Sequence, residues 1–167
     1  MKCHSKKGGF AMEDTTYRQG GDVLGLILQN VYPVAVDYDR SIEDSVRAGN
    51  YRWIDQSVTS YNFPSTETGS REVNIELIHF GQKMENDSVL HEMGKHGLRP
   101  ATLKELLALG EKHPYLQREF SIIALGSIWK HWNSCLFYVC LGKERLLYIT
   151  EPDREWGSGC YFAAVRK

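Results

Sequence analysis

The chain holds no run of about eighteen apolar residues, the length a helix needs to cross a bilayer. Its apolar stretches, Val23–Leu28 and Leu136–Leu141 among them, are far shorter. A charge surplus is missing too: 20 Lys and Arg face 21 Asp and Glu, for a net charge of -1. A protein that coats nucleic acid is ordinarily basic, and this one is not. Met1–Arg18 is polar and lacks the hydrophobic segment of a signal peptide. The expectation is a chain made and kept in the cytoplasm, with Cys3, Cys135, Cys140 and Cys160 as free thiols. If Cys135 and Cys140 share a strand, their odd spacing puts them on opposite faces, which disfavours a disulfide or a shared metal.

Familiar catalytic patterns are missing as well. There is no Gly-x-x-x-x-Gly-Lys-Ser/Thr phosphate loop, no Gly-x-Gly-x-x-Gly and no Gly-x-Ser-x-Gly elbow. Gly157-Ser158-Gly159 reads as a turn. His91-Glu92 is followed by His96, but a zinc protease needs its histidines four apart on a helix. Five apart they point about 140° away from each other, too far to share one ion.

What remains is an ordinary globular composition, 42% hydrophobic and 25% charged over 167 residues. It excludes a collagen, a coiled-coil rod and a wholly disordered chain, and it leaves room for a core. Residues 1–20 read as a flexible leader, 21–70 as a helix and strand portion, and 71–167 as the main domain. The loop Asn62–Ser70 marks the division. Asp22–Gln29 is read as a short helix capped by Asp22, and Tyr32–Val36 as a strand. Ser41 is placed to cap a helix with Glu43 and Asp44 in its first turn and Gly49 as its stop.

Val73–Phe80 alternates as a strand does. Asn86 or Asp87 is read as the cap of the next helix, with Val89, Leu90 and Met93 on one face and Gly97 at its end. Thr102-Leu103-Lys104-Glu105 has the spacing of a capping box, in which the Thr hydroxyl and the Glu carboxylate each take an amide of the first turn. Leu103, Leu106 and Leu107 continue the helix, and Pro114 stops it. Strands are predicted over Ser121–Leu125, Leu136–Leu141, Arg145–Thr150 and Tyr161–Arg166, with a hairpin turn at Gly142-Lys143-Glu144. Two successive helices followed by several strands predict an antiparallel α+β fold.

The passage Gly97-Leu98-Arg99-Pro100-Ala101-Thr102, with Glu105-Leu106 after it, is similar to the Gly-x-Arg-Leu-Ala-Thr-x-x-Glu passage between the two helices of C-type lectin-like domains. Bacterial members, including relatives of the formylglycine-generating enzyme, carry a comparable passage. Gly126-Ser127-Ile128-Trp129 resembles their central Trp-Ser-Ser stretch, and Cys160–Arg166 resembles their final strand. The resemblance spans roughly residues 73–167. It implies antiparallel sheets with two helices and a long loop region that presents a binding surface. Tyr32–Tyr38 and Tyr51–Trp53, taken with Leu98–Thr102, resemble a bacterial family of short proteins, a likeness that brings no activity with it.

The departures narrow what the likeness implies. Glu151-Pro152-Asp153 is like a calcium-ligand triplet, but it lies nearer the last strand than the pattern places it, and the Asn-Asp pair is missing. The copper-binding cysteine pair of formylglycine-generating enzymes has no counterpart that can be placed here. No cofactor or metal is therefore expected.

Two aromatic groups stand out. Trp129, Lys130, Trp132 and Asn133, with His131 among them, are read as a loop between strands, and Arg154 and Trp156 as a second loop. Trp and Arg are enriched where binding energy concentrates. The structural alternative makes Trp129 core, with Trp132 capping it. The functional expectation is a non-catalytic binding module for a protein or other macromolecule. Mixed charge weighs against nucleic acid, and no membrane contact is expected. The alternative is an enzyme that uses Cys160, Cys140 or a histidine with Asp153 or Glu155. Against it, a cysteine within a strand is ordinarily a small buried apolar residue.

Overall fold

The computed structural model describes residues 27–132, 134–151 and 155–167. The elements in chain order are β1 (Ile27–Asp37), α1 (Ile42–Gly49), β2 (Trp53–Ile54), β3 (Ser70–His79), α2 (Asn86–Lys95) and β4 (Leu98–Pro100), then α3 (Leu103–Lys112), α4 (Leu116–Glu119), β5 (Ser121–Lys130), β6 (Leu136–Gly142), β7 (Leu146–Thr150) and β8 (Cys160–Arg166). The eight strands form one sheet in the order β1-β3-β8-β5-β6-β7-β2, with β4 added beside β8. Pairing is antiparallel except between β5 and β8 and between β2 and β7. The architecture is α+β.

Alternation along the strands sorts the core onto two faces. Val73, Ile75 and Leu77 of β3, Ile122 and Ala124 of β5, and Val139 and Leu141 of β6 point to one side. There they meet Ile42 and Val46 of α1, Leu103 and Leu106 of α3, and Leu116 of α4. Ile78, Ile123, Leu125, Tyr138, Cys140 and Phe162 point to the other side, where Val89 and Met93 of α2 cover them. The division read at residue 70 falls at the first residue of β3. Because β1 pairs with β3 along its length, the portions on either side share one sheet and one core.

Local signals explain several boundaries. The Ser41 hydroxyl accepts from the Asp44 amide and caps α1. Thr102 and Glu105 form the capping box at α3. Gly97, with φ +68, turns the chain from α2 into β4.

Other expectations are corrected. Asn50, not Gly49, takes the left-handed position after α1, with φ 48. Gly49 is still in the helix, and its missing side chain leaves room for Tyr51, whose ring lies 2.3 Å from where a Cβ would sit. Glu85 precedes α2 without a side-chain cap, so neither Asn86 nor Asp87 fills that role. Ile27–Gln29 belong to β1, where they pair with β3, rather than to a helix. Asp22 and the leader 1–20 lie outside the described residues.

Candidate functional site

The passage around Arg99 is a structural joint. Glu105 is fully buried at the start of α3. Its carboxylate accepts from Arg99 Nη2 at 2.6 Å and Nη1 at 3.0 Å, from the Tyr38 hydroxyl at 2.7 Å and from the Thr102 amide at 2.7 Å. Burial by itself would raise its pKa. The bonds from Arg99, Thr102 and Tyr38 outweigh that and hold the carboxyl below its ordinary range. The same arrangement, with burial first and the Glu105 carboxylate second, pushes the Tyr38 hydroxyl up to about 12. Arg71 lies over the Tyr38 ring, 4.1 Å from its centre.

Gly126 and Ser127 close the joint from β5. The Gly126 amide donates to the Ala101 carbonyl at 2.9 Å. A Cβ at Gly126 would lie 2.5 Å from that oxygen, so only glycine lets the two backbones approach. The Ser127 hydroxyl accepts from the Leu103 amide at 2.9 Å, satisfying an open donor at the N-terminus of α3. Arg99, Thr102, Glu105, Gly126 and Ser127 are thus bonded to one another or to adjacent backbone. A cavity of about 170 Å³ opens beside them, lined by Phe63, Lys104 and Ser127 among others. That is smaller than the clefts of roughly 300–1,000 Å³ that hold drug-sized ligands.

The far end of β5 is different. Trp129 and Lys130 are strand residues paired with Phe137 and Leu136, not loop residues as read from the sequence. The turn between the strands is held by the bonds from the Ser134 amide to the His131 carbonyl and from the His131 amide to the Cys135 carbonyl. β8 pairs with β5 only through Ile123, and β7 pairs with β6 only from Tyr138 onward. The end of the hairpin therefore projects past both neighbours.

A ladder of rings runs out along this hairpin. Trp129 meets Phe63 with centres 6.4 Å apart, Phe137 at 5.3 Å and His131 at 5.0 Å. His131 in turn meets Trp132 at 5.3 Å. Phe63 is buried in the core, Trp129 is half-buried against it, and Phe137 and His131 are half-buried. The last rung is not: Trp132 is 88% exposed. Ile128 and Leu136, 48% and 42% exposed, alternate with Trp129 and Phe137 along the two strands and so belong to the other face of the hairpin. Between Leu125 and Gly142 the sequence has one formal charge, Lys130, and that side chain is exposed.

Trp156 does not join this surface. It is 4% exposed and packs edge-on against Tyr138 and Phe162, and its indole nitrogen donates to the Asn86 side chain. Its backbone bridges to Met84, which fastens the segment before β8. Trp156 is a core residue, against the expectation that it faces a partner. Asn133 and Arg154, and with them Pro152 and Asp153, lie outside the described residues. Sequence reasoning missed Ile128 and Leu136, because their exposure depends on how far β5 and β6 outrun their neighbours.

Neither internal thiol on the last strands is poised as a nucleophile. Burial pushes Cys140 up to about 12, against the opposing bond to the Tyr148 hydroxyl. Burial raises Cys160 as well. A thiol so shifted stays protonated at neutral pH, whereas attack requires the thiolate. His79 bonds to the Ser158 carbonyl at 2.7 Å and stacks on Tyr161. Among the described residues, no group of three or more His, Cys, Asp or Glu side chains is placed to hold a metal ion. No helix among them is long and apolar enough to cross a membrane. No protein-family model, curated protein or solved structure matches this chain.

Proposed function

We propose that this chain is a non-catalytic binding module that recognises a protein partner through the projecting end of the β5–β6 hairpin. One observation carries the reading: Trp132 stands 88% exposed at the end of a ring ladder whose inner members are packed. Leaving an indole in water forgoes the gain of burying it, of the order of 2–3 kcal/mol for a large apolar side chain. A partner that covers Trp132 recovers that gain, and the packed rungs behind it reduce the ordering cost of binding. Ile128 and Leu136 add exposed apolar area, and Lys130 a charge, on the other face of the same hairpin end. Asn133 and Arg154 join the proposed surface on sequence grounds alone.

A C-type lectin-like arrangement over about residues 73–167 belongs to the same proposal. Its support is the antiparallel pairing of β3 with β8, the two helices α2 and α3 between them, and the β5-β6-β7 run that carries the proposed surface. The competing reading, an enzyme with a cysteine or histidine centre, draws no support from the protonated thiols. The module is read as cytoplasmic and bacterial, working without a cofactor.

The test is affinity capture from the source cell with the wild-type chain and with Trp132→Ala as baits, each with a nuclease-treated control. A protein recovered by the wild type, insensitive to nuclease and lost with Trp132→Ala, supports the proposal. Equal recovery by both baits removes Trp132 from the binding surface and overturns it. A partner lost on nuclease treatment moves the reading to nucleic acid.

A further inference from the structure

We draw no further inference here: the strongest candidate, the surface groove of about 300 Å³ where Arg71, Arg99 and Arg166 converge near the ends of β3, β4 and β8, has each guanidinium already paired with a carboxylate (Glu67, Glu105 and Glu76) and a further carboxylate, Glu72, in its wall, so it holds no unpaired positive charge with which to select an anion.

Discussion

The joint at the start of α3 and the tip of the β5–β6 hairpin use the same strand for opposite ends. In the joint, a buried carboxylate is matched by its neighbours: Glu105 accepts four bonds, and Ser127 and Gly126, nearer the surface, each take up a backbone group of the Ala101–Leu103 turn. At the tip, a large apolar side chain is left in water. Matched polar groups in a dry interior fix one geometry, because any departure strands a donor or a charge. An uncovered indole on a packed base contributes little to folding and is free to contribute to binding. The residues of Gly97–Glu105 that look most like a signature are explained by folding, whereas the tip has no such explanation.

The largest effect should come from breaking the joint. Arg99→Ala leaves the Glu105 carboxylate buried without its main partner, and about 3–5 kcal/mol of stability should be lost in urea unfolding. A loss below 1 kcal/mol would mean that Glu105 is reached by solvent and the joint is not what fixes α3. Gly126→Ala pushes a methyl group against the Ala101 carbonyl and should cost about 1–3 kcal/mol. Ser127→Ala removes only the acceptor of the Leu103 amide, with an expected loss of about 1 kcal/mol.

Acid sharpens the same contrast. The pKa of Glu105 is lowered in the folded chain. Its contribution is therefore fully present above the unfolded carboxylate pKa, about 4.3, and is lost as the pH falls through the lower folded value. Urea midpoints measured from pH 7 down to pH 3 should fall steeply in that acid window for the wild type. In Glu105→Gln they should fall less. Equal acid slopes would show that other carboxylates carry the dependence.

Some of this was legible from the residues alone. Ser41, Thr102 and Glu105 act within one helical turn, so spacing suffices to place them. The alternation of Val73, Ile75 and Leu77 is likewise local, and it marks β3 before any partner strand is known. What could not be read depends on contacts distant in sequence. Nothing near Trp156 tells that Tyr138 and Phe162 await it, and it resembled Trp132 as a loop aromatic. The reach of β5 to Lys130 follows from its pairing with Leu136. The link from Arg99 to Tyr38 through Glu105 joins residues more than sixty positions apart, so the resembling passage could not be recognised as a structural joint.

The most direct measurement is urea unfolding of two single variants of the full chain, Trp156→Ala and Trp132→Ala. Loss of a buried indole from the second face of the sheet should cost Trp156→Ala about 3–5 kcal/mol. Loss of the exposed indole should leave Trp132→Ala within about 0.5 kcal/mol of the wild type. That split is what a folded core and a free binding tip predict. A comparable loss in Trp132→Ala would make its indole part of the core and contradict the account.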